Sequence, residues 1–271
     1  SVDLPCVVTD RSGQFVADLT QADFVVRDNG KIRKITVVKS KQQAPLSIAL
    51  VLDRSRSVTE AFSTLQAAAK GFLTSVVRSG QDRACLVAFD SHVYLLQDWT
   101  DHVDELAGMI TKLTASGGTG LFDAIYKTCR DKFAPDSQDE HTKVLVLVTD
   151  GEDTTSHATF KQVVDMVSQS GVFVYVLCIK PENSLNPREL QSKRILGELR
   201  DITGGEILYP AGNENRIDRL FDRIQNELRH EYIVTFTSND EPDGKFHKVK
   251  LEATRRDLEV RTRKEGYLAS E

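Results

Sequence analysis

Five short runs rich in Val, Leu and Ile set the terms for this chain: Ile48–Leu52, Ala84–Phe89, Val144–Val148, Val172–Ile179 and Glu206–Leu208. They lack the apolar-polar alternation of a strand with one wet face. Strands of this kind are buried on both faces, as in a parallel sheet covered by helices. The intervening residues supply those helices. Val58, Phe62, Leu65, Ala69, Phe72 and Val76 recur at spacings of three and four and share one helical face. Leu121–Phe133, Phe160–Ser168, Leu190–Ile202 and Ile217–Leu228 are patterned alike. Strand and helix in alternation predict an α/β fold with a doubly wound, mostly parallel sheet. Val93–Leu96 is the exception. It follows Phe89 after a link too short for a parallel crossover, so Asp90-Ser91 reverses the chain and a sixth strand runs antiparallel at an edge.

The flanks are patterned differently. Val2–Val38 holds short strand-like runs punctuated by Arg11-Ser12-Gly13 and Asp28-Asn29-Gly30. From Tyr232 to Tyr267 apolar and polar residues alternate cleanly, with Asp243-Gly244 as a hairpin-type turn. Each flank has about 40 residues, marginal for folding alone. Residues 1–43 and 230–271 are therefore expected to form one small β-sandwich, with an α/β domain at 44–229 inserted between them.

Composition excludes several partners. A net charge of -5 argues against nucleic acid, whose binders show a basic face. No apolar run approaches the roughly 20 residues of a membrane-spanning helix. The cysteines Cys6, Cys85, Cys129 and Cys178 have no CxxC spacing and no histidine at zinc-like intervals.

The chemistry lies where the runs end. Ile48–Leu52 leads into Asp53-Arg-Ser55-Arg-Ser57, Gly117-Gly118-Thr119-Gly120 leads into a helix, and Val144–Val148 leads into Thr149-Asp150-Gly151. Asp53, Ser55, Ser57, Thr119 and Asp150 are hard oxygen donors, suited to Mg²⁺, Mn²⁺ or Ca²⁺ rather than zinc or copper. Each also has an ordinary explanation. Ser57 precedes Glu60 at capping-box spacing, Thr119 stands where a helix cap would, and Asp150-Gly151 makes a turn. Position separates the two readings. In doubly wound sheets the crevice forms at the carboxyl edge, where strand order reverses, and all five residues fall there. Two carboxylates gathered at one point repel unless a cation joins them.

Asp53-x-Ser55-x-Ser57, then Thr119, then Asp150-Gly151 resembles the metal ion-dependent adhesion site of von Willebrand factor A domains, over roughly residues 44–229. More loosely, Leu19–Lys31 and the closing β segment resemble bacterial von Willebrand factor A-related proteins named for Acidobacteria. The resemblance implies a strand order of 3-2-1-4-5-6. It implies that Ser55, Ser57 and Thr119 give hydroxyls to the cation, that Asp53 and Asp150 act partly through coordinated water, and that one open position takes an Asp or Glu of a protein partner. The implied function is metal-dependent adhesion outside the cytoplasm, whether secreted, periplasmic or at a bacterial cell surface. The implied order also sets Cys85 and Cys178 about 14 Å apart at about 4.8 Å per strand, too far for a disulfide, so buried thiols are expected.

One departure stands out. Many family members carry glycine between the two serines, whereas this chain has Arg56, with Arg54 just before it. Both arginines read most simply as solvated surface charges; otherwise a rim arginine attracts an acidic ligand, pairs with Glu60 or Glu152, or covers the metal and leaves a scaffold with an occluded site. Glu152, Asp153 and Thr154 either support the site or form an exposed acidic loop, and Asp123 is expected to be structural. Catalysis has thin support. No Gly-x-Ser-x-Gly elbow surrounds the serines, and His141 precedes a strand at the opposite edge. Aspartyl phosphatases usually carry a second acid where this chain has Ser55, and Gly117–Gly120 lacks the lysine of a P-loop. The expectation is a binding module and not an enzyme, a metal-dependent phosphoryl-transfer enzyme being the remoter alternative.

Overall fold

The unalternated runs become strands in which almost nothing touches water. The computed structural model describes residues 1–133, 141–179, 187–209, 217–238, 245–262 and 266–268. The chain opens with β1 (Val2–Asp10), β2 (Phe24–Asp28), β3 (Lys31–Arg33) and β4 (Ile35–Ser40). The α/β portion follows as β5 (Leu46–Asp53), α1 (Phe62–Val76), β6 (Arg83–Phe89), β7 (Val93–Thr100), α2 (Val103–Thr111) and α3 (Leu121–Lys132). It continues through β8 (Thr142–Thr149), α4 (Phe160–Ser170), β9 (Phe173–Cys178), α5 (Pro187–Thr203), β10 (Ile207–Leu208) and α6 (Ile217–Arg229). Last come β11 (Glu231–Phe236), β12 (Phe246–Ala253), β13 (Leu258–Thr262) and β14 (Gly266–Leu268). The Asp243-Gly244 turn lies outside the described residues. So does most of the Pro181–Arg188 stretch, whose last two residues open α5.

The chain divides into two units, Ser1–Gln43 with Asn226–Glu271, and Ala44–Gln225, with the division falling inside α6. In the larger unit the six-stranded sheet runs β10-β9-β8-β5-β6-β7, the order that the resemblance implied. Every pairing is parallel except β6 with β7, which the short Asp90-Ser91 link forces to be antiparallel. All eight residues of β5 are buried. Ala49 and Val51 share one cluster with Leu145 and Leu147 of β8, Leu121 and Ile125 of α3, and Val163 and Val167 of α4. Removing one such side chain to alanine costs about 2–5 kcal/mol.

Two helical details differ from expectation. The stretch around Val58 forms a 3-10 turn over Arg56–Ala61, and α1 begins only at Phe62. The helix α2, unanticipated, buries only Leu106 and Ile110, a stripe too short to show a period.

The smaller unit pairs two antiparallel sheets, β13-β1-β11-β4 and β14-β12-β2-β3, as a β-sandwich. Leu4, Cys6 and Val8 of β1 meet Phe24, Val26, Val234, Phe236 and Leu251 in its core. Asp28, fully buried, accepts from the Arg33 guanidinium at 3.0 Å and the Tyr267 hydroxyl at 3.1 Å, and stands 3.0 Å from His247 Nδ1. A buried carboxylate needs partners of this kind.

All four cysteines are buried thiols. Burial pushes Cys85 and Cys129 up to about 12, so neither forms the reactive thiolate near neutral pH. Ellman's reagent should modify these two thiols at least about a hundredfold more slowly in the native protein than in strong denaturant, where all four react. Rapid native modification of Cys85 or Cys129, located by peptide mapping, would contradict the packing described.

Candidate functional site at the carboxyl rim of the sheet

The parallel register decides which residues meet. Leu52 of β5 lies opposite Val148 of β8, so Asp53 and Thr149 end neighbouring strands at the same rim. Asp53 has no exposed surface. Its Oδ1 accepts from the Ser55 amide at 2.8 Å, and its Oδ2 accepts from the Thr149 hydroxyl at 2.7 Å. Burial pushes its carboxyl up to about 6, against the hydrogen bonds from Ser55 and Thr149, and the neighbouring Asp150 charge adds to the rise.

Ser55 Oγ, buried, lies 2.9 Å from Ser57 Oγ at the surface. Neither hydroxyl serves a helix. Ser55 precedes the 3-10 turn without a side-chain capping bond, and the residue capping α1 is Ala61. The Ser57–Glu60 capping box is therefore not formed. Thr119 is buried, but Gly120 takes the N-cap position of α3. Asp150 keeps part of its turn role, since its Oδ1 accepts from the Glu152 amide at 3.2 Å.

Backbone hydrogen bonds tie the three loops together. The Arg56 amide donates to Gly117 O at 3.3 Å, and the Ser116 amide to Arg54 O at 2.6 Å. Thr119 O accepts from the amides of Thr154 and Thr155 at 2.8 and 3.1 Å, while the Thr119 amide donates to Thr154 Oγ1 at 2.9 Å. Thus Asp53, Ser55 and Ser57 are joined by hydrogen bonds, Asp150 acts on Asp53 through its charge, and Thr119 joins the rim through its main chain. The glycines around Thr119 follow from close packing. A Cβ on Gly118 would stand 3.0 Å from Ser91 Oγ, and one on Gly120 would stand 3.1 Å from Asp90 O. This crowding accounts for the Gly-rich string without a nucleotide.

Other expectations resolve as follows. Arg54 is not a solvated charge: its Nε lies 3.4 Å from Asp90, its Nη2 donates to Ser116 Oγ at 2.5 Å, and its guanidinium covers the Tyr94 ring. Arg56 is exposed. Asp123 is structural, accepting from the amides of His157 and Ala158 at 3.1 and 2.8 Å. Burial works to raise its pKa, but those bonds outweigh it and hold the carboxyl below the usual range. Asp153 Oδ1 accepts from the Phe122 amide and the Ser156 hydroxyl. Thr149 was missed as a site residue because it closes an otherwise aliphatic strand; its hydroxyl was the available signal.

The donor set fits a hard divalent cation. Among the described residues no three His, Cys, Asp or Glu come together as a metal site, so a cation here would depend on hydroxyls. Adjacent ligands of an octahedral ion at about 2.0–2.1 Å stand about 2.9 Å apart. Ser55 Oγ and Ser57 Oγ already have that separation.

Comparison with known proteins places this rim in context. The family model for the von Willebrand factor type A domain matches residues 47–206. Calcium-activated chloride channel regulator 1 of Bos taurus is 27% identical over 197 residues, 70% of this chain and 20% of that protein. The chain thus spans about a fifth of the length of the curated relatives it matches. Among solved structures, mussel byssus proximal thread matrix protein 1, with a zinc-occupied MIDAS motif, aligns at TM-score 0.53 and 16% identity, covering 73% of this chain and 48% of that one. The pilus adhesin SpaC of Lactobacillus rhamnosus aligns at TM-score 0.52 and 15% identity, covering 77% and 34%.

The raised pKa of Asp53 gives this group a pH-dependent share in the stability of the fold. The folded chain holds this proton more tightly than the unfolded chain. Its contribution to stability is complete below about 3.8 and is lost as the pH rises through about 6. Relative to Asp53→Asn, the wild-type free energy of unfolding should fall across that window; parallel profiles would assign the effect elsewhere. Thr149→Val, which removes the donor to Oδ2, should cost about 1–3 kcal/mol in urea denaturation near neutral pH.

Proposed function

The chain belongs to the von Willebrand factor type A domain family, and from that premise we propose that its carboxyl rim is a divalent-cation site through which it binds an acidic residue of a protein partner. Ser55, Ser57 and Thr119 would hold the cation with Asp53 and Asp150, and Mg²⁺ suits these oxygens best, with Mn²⁺ and Ca²⁺ as alternatives. When bound, the cation supplies a Lewis-acidic position for a partner carboxylate. Ser55 and Ser57 contribute neutral oxygens, so less charge is cancelled than by direct carboxylates. Asp53, screened from solvent, is fixed in orientation by Thr149 and the Ser55 amide. The observation that carries the reading is the convergence of Asp53, Ser55, Ser57 and Asp150 at one rim, where the two serines cap no helix.

The proposal includes a setting outside the cytoplasm and no catalysis. A pilus adhesin among the structural neighbours supports an adhesive role. Among the described residues no helix is long and apolar enough to cross a membrane. One feature favours a second reading, a metal-free scaffold: Ser55 and Ser57 already satisfy each other by hydrogen bonding.

Calorimetry separates the two. Titration of Mg²⁺ and Mn²⁺ should give saturable binding that Asp53→Ala weakens at least about tenfold, with the fold retained by circular dichroism. Equal binding by both proteins would remove the site, and no binding by either would leave the scaffold. Zn²⁺ belongs in the same series, because the mussel protein's motif takes it. Turnover of aromatic phosphates that disappears in Asp53→Ala would establish the enzyme alternative.

A further inference from the structure

Strict alternation along β12 sorts its side chains into two sets. His247, Val249 and Leu251 are buried in the sandwich, whereas Phe246, Lys248 and Lys250 are exposed on the outer face of the sheet, followed there by half-buried Glu252. The same rule governs β2, with Phe24, Val26 and Asp28 buried and Val25 and Arg27 turned outward. Register then assembles the outer face. Lys250 lies opposite Arg27, and Arg27 lies opposite Ile32 of the edge strand β3. From Phe246 to Lys250 the face runs about 13 Å along β12, and from β12 to β3 it spans about 10 Å.

Two features set this face apart. Ile32 and Phe246, 67% and 63% exposed, are the most exposed large apolar side chains among the described residues, and both belong to it. The polar positions between them are mainly basic. Glu252 is the one acid among the outward residues of β2 and β12, and Lys250 at 2.6 Å and Arg27 at 3.1 Å share it. Lys248 adds a third cation. The net charge of -5 does not oppose this, because residues 44–225 carry the excess of acid. The flanks that build the β unit hold one Lys or Arg more than they hold Asp and Glu.

A single exposed apolar side chain is ordinary. Two at opposite corners of a basic face suit a particular surface. An acidic protein would pair with the cations but would also need a shaped hollow for each apolar side chain. A bilayer interface needs no such shaping. Its headgroup boundary takes up aromatic and aliphatic side chains, and anionic lipid attracts Lys and Arg.

We propose that this outer face of the β unit docks on an anionic lipid surface, with Phe246 and Ile32 entering the interface and Lys248, Lys250 and Arg27 meeting lipid phosphates. So few anchors make the attachment reversible. It is independent of any cation at the rim. Phe246 has a second task, since a Cβ on Gly266 would stand 2.6 Å from its ring, so the aromatic also shields that edge glycine. Tryptophan at position 246 keeps the cover.

The test uses the full chain with chelator present throughout. By vesicle sedimentation, the partition coefficient should be at least about tenfold higher for phosphatidylcholine with about 30 mol% phosphatidylglycerol than for phosphatidylcholine alone, and salt should lower it. Lys248→Glu combined with Lys250→Glu should return it to the neutral-vesicle level, and Ile32→Ser should lower it about threefold, with circular dichroism unchanged. Phe246→Trp should be quenched by brominated lipid beyond the wild type, whose single tryptophan is Trp99 of β7. Equal partition on the two vesicles, a preference that survives the charge reversals, or bound Phe246→Trp protein without that quenching would overturn the proposal. Capture by immobilised polyglutamate without vesicle binding, lost on the same reversals, would assign the face to an acidic protein and equally overturn it. Each of these results leaves the cation site untouched.

Discussion

A carboxylate with no exposed surface stands at the end of β5, and the rim is organised around holding it. An isolated buried charge is costly, and such a group ordinarily takes up a proton or finds a partner. Asp53 receives hydrogen bonds from Ser55 and Thr149 that favour its charged form. Burial and Asp150 act in the other direction and prevail, leaving the carboxyl at about 6. Near neutral pH the group is therefore only modestly on the ionised side of its own titration. A cation close to Asp53 and Asp150 would remove their mutual repulsion and much of the desolvation cost. On the proposed function, the unfavourable electrostatics of the rim would become part of the driving force for loading it.

That arrangement works only if the three loops stay in register. A hydroxyl on a floating loop would lose in ordering entropy much of what it gained by ligation. The main-chain bonds from Arg56 to Gly117, Ser116 to Arg54, and Thr154 and Thr155 to Thr119 fix the loops to one another. The glycine string belongs to the same device. Gly117 takes a left-handed φ of +77°, and side chains at Gly118 or Gly120 would crowd Ser91 or the Asp90 carbonyl. Asp90 in turn pairs with Arg54. An arginine beside the aspartate and a glycine run sixty-odd residues later thus meet on one hairpin, and the rim is braced from beneath.

What the sequence discloses follows from which forces are local. Ile48–Leu52 and Val144–Val148 are legible as strands because burial on both faces leaves an unbroken aliphatic run. Asp53, Ser55, Ser57 and Asp150 could be singled out because each closes or follows such a run, and Thr119 because it stands in a glycine string that leads into a helix. Thr149 could not, since its part depends on β8 lying beside β5, and neighbour order is a property of the whole sheet. Ser57 and Glu60 offered a capping signal that the chain ignores, because a 3-10 turn delays α1 to Phe62. Arg54 looked like a solvated charge for the same reason that Thr149 looked ordinary. Its partners Asp90 and Tyr94 come from another strand and turn. Leu106 and Ile110 of α2 gave too little periodicity to announce a helix.

The arginine between the serines has an electrostatic reading once the charges are counted. On the proposed function, a divalent cation with Asp53 and Asp150 makes a nearly neutral centre, and an incoming carboxylate would leave it with net negative charge. Glycine at that position does nothing to offset this. Arg56, exposed and next in sequence to both serines, would supply a positive charge there, screened only partly if it lies within a Debye length of about 8–10 Å. Arg54 cannot take that part, because Asp90 already holds its charge. The departure from the common family pattern is thus compatible with ligand binding, provided the side chain stays at the margin. It also makes salt dependence informative. A margin arginine that steers an acidic partner acts mainly on association and weakens with ionic strength, whereas one that covers the cation would slow association at every salt concentration.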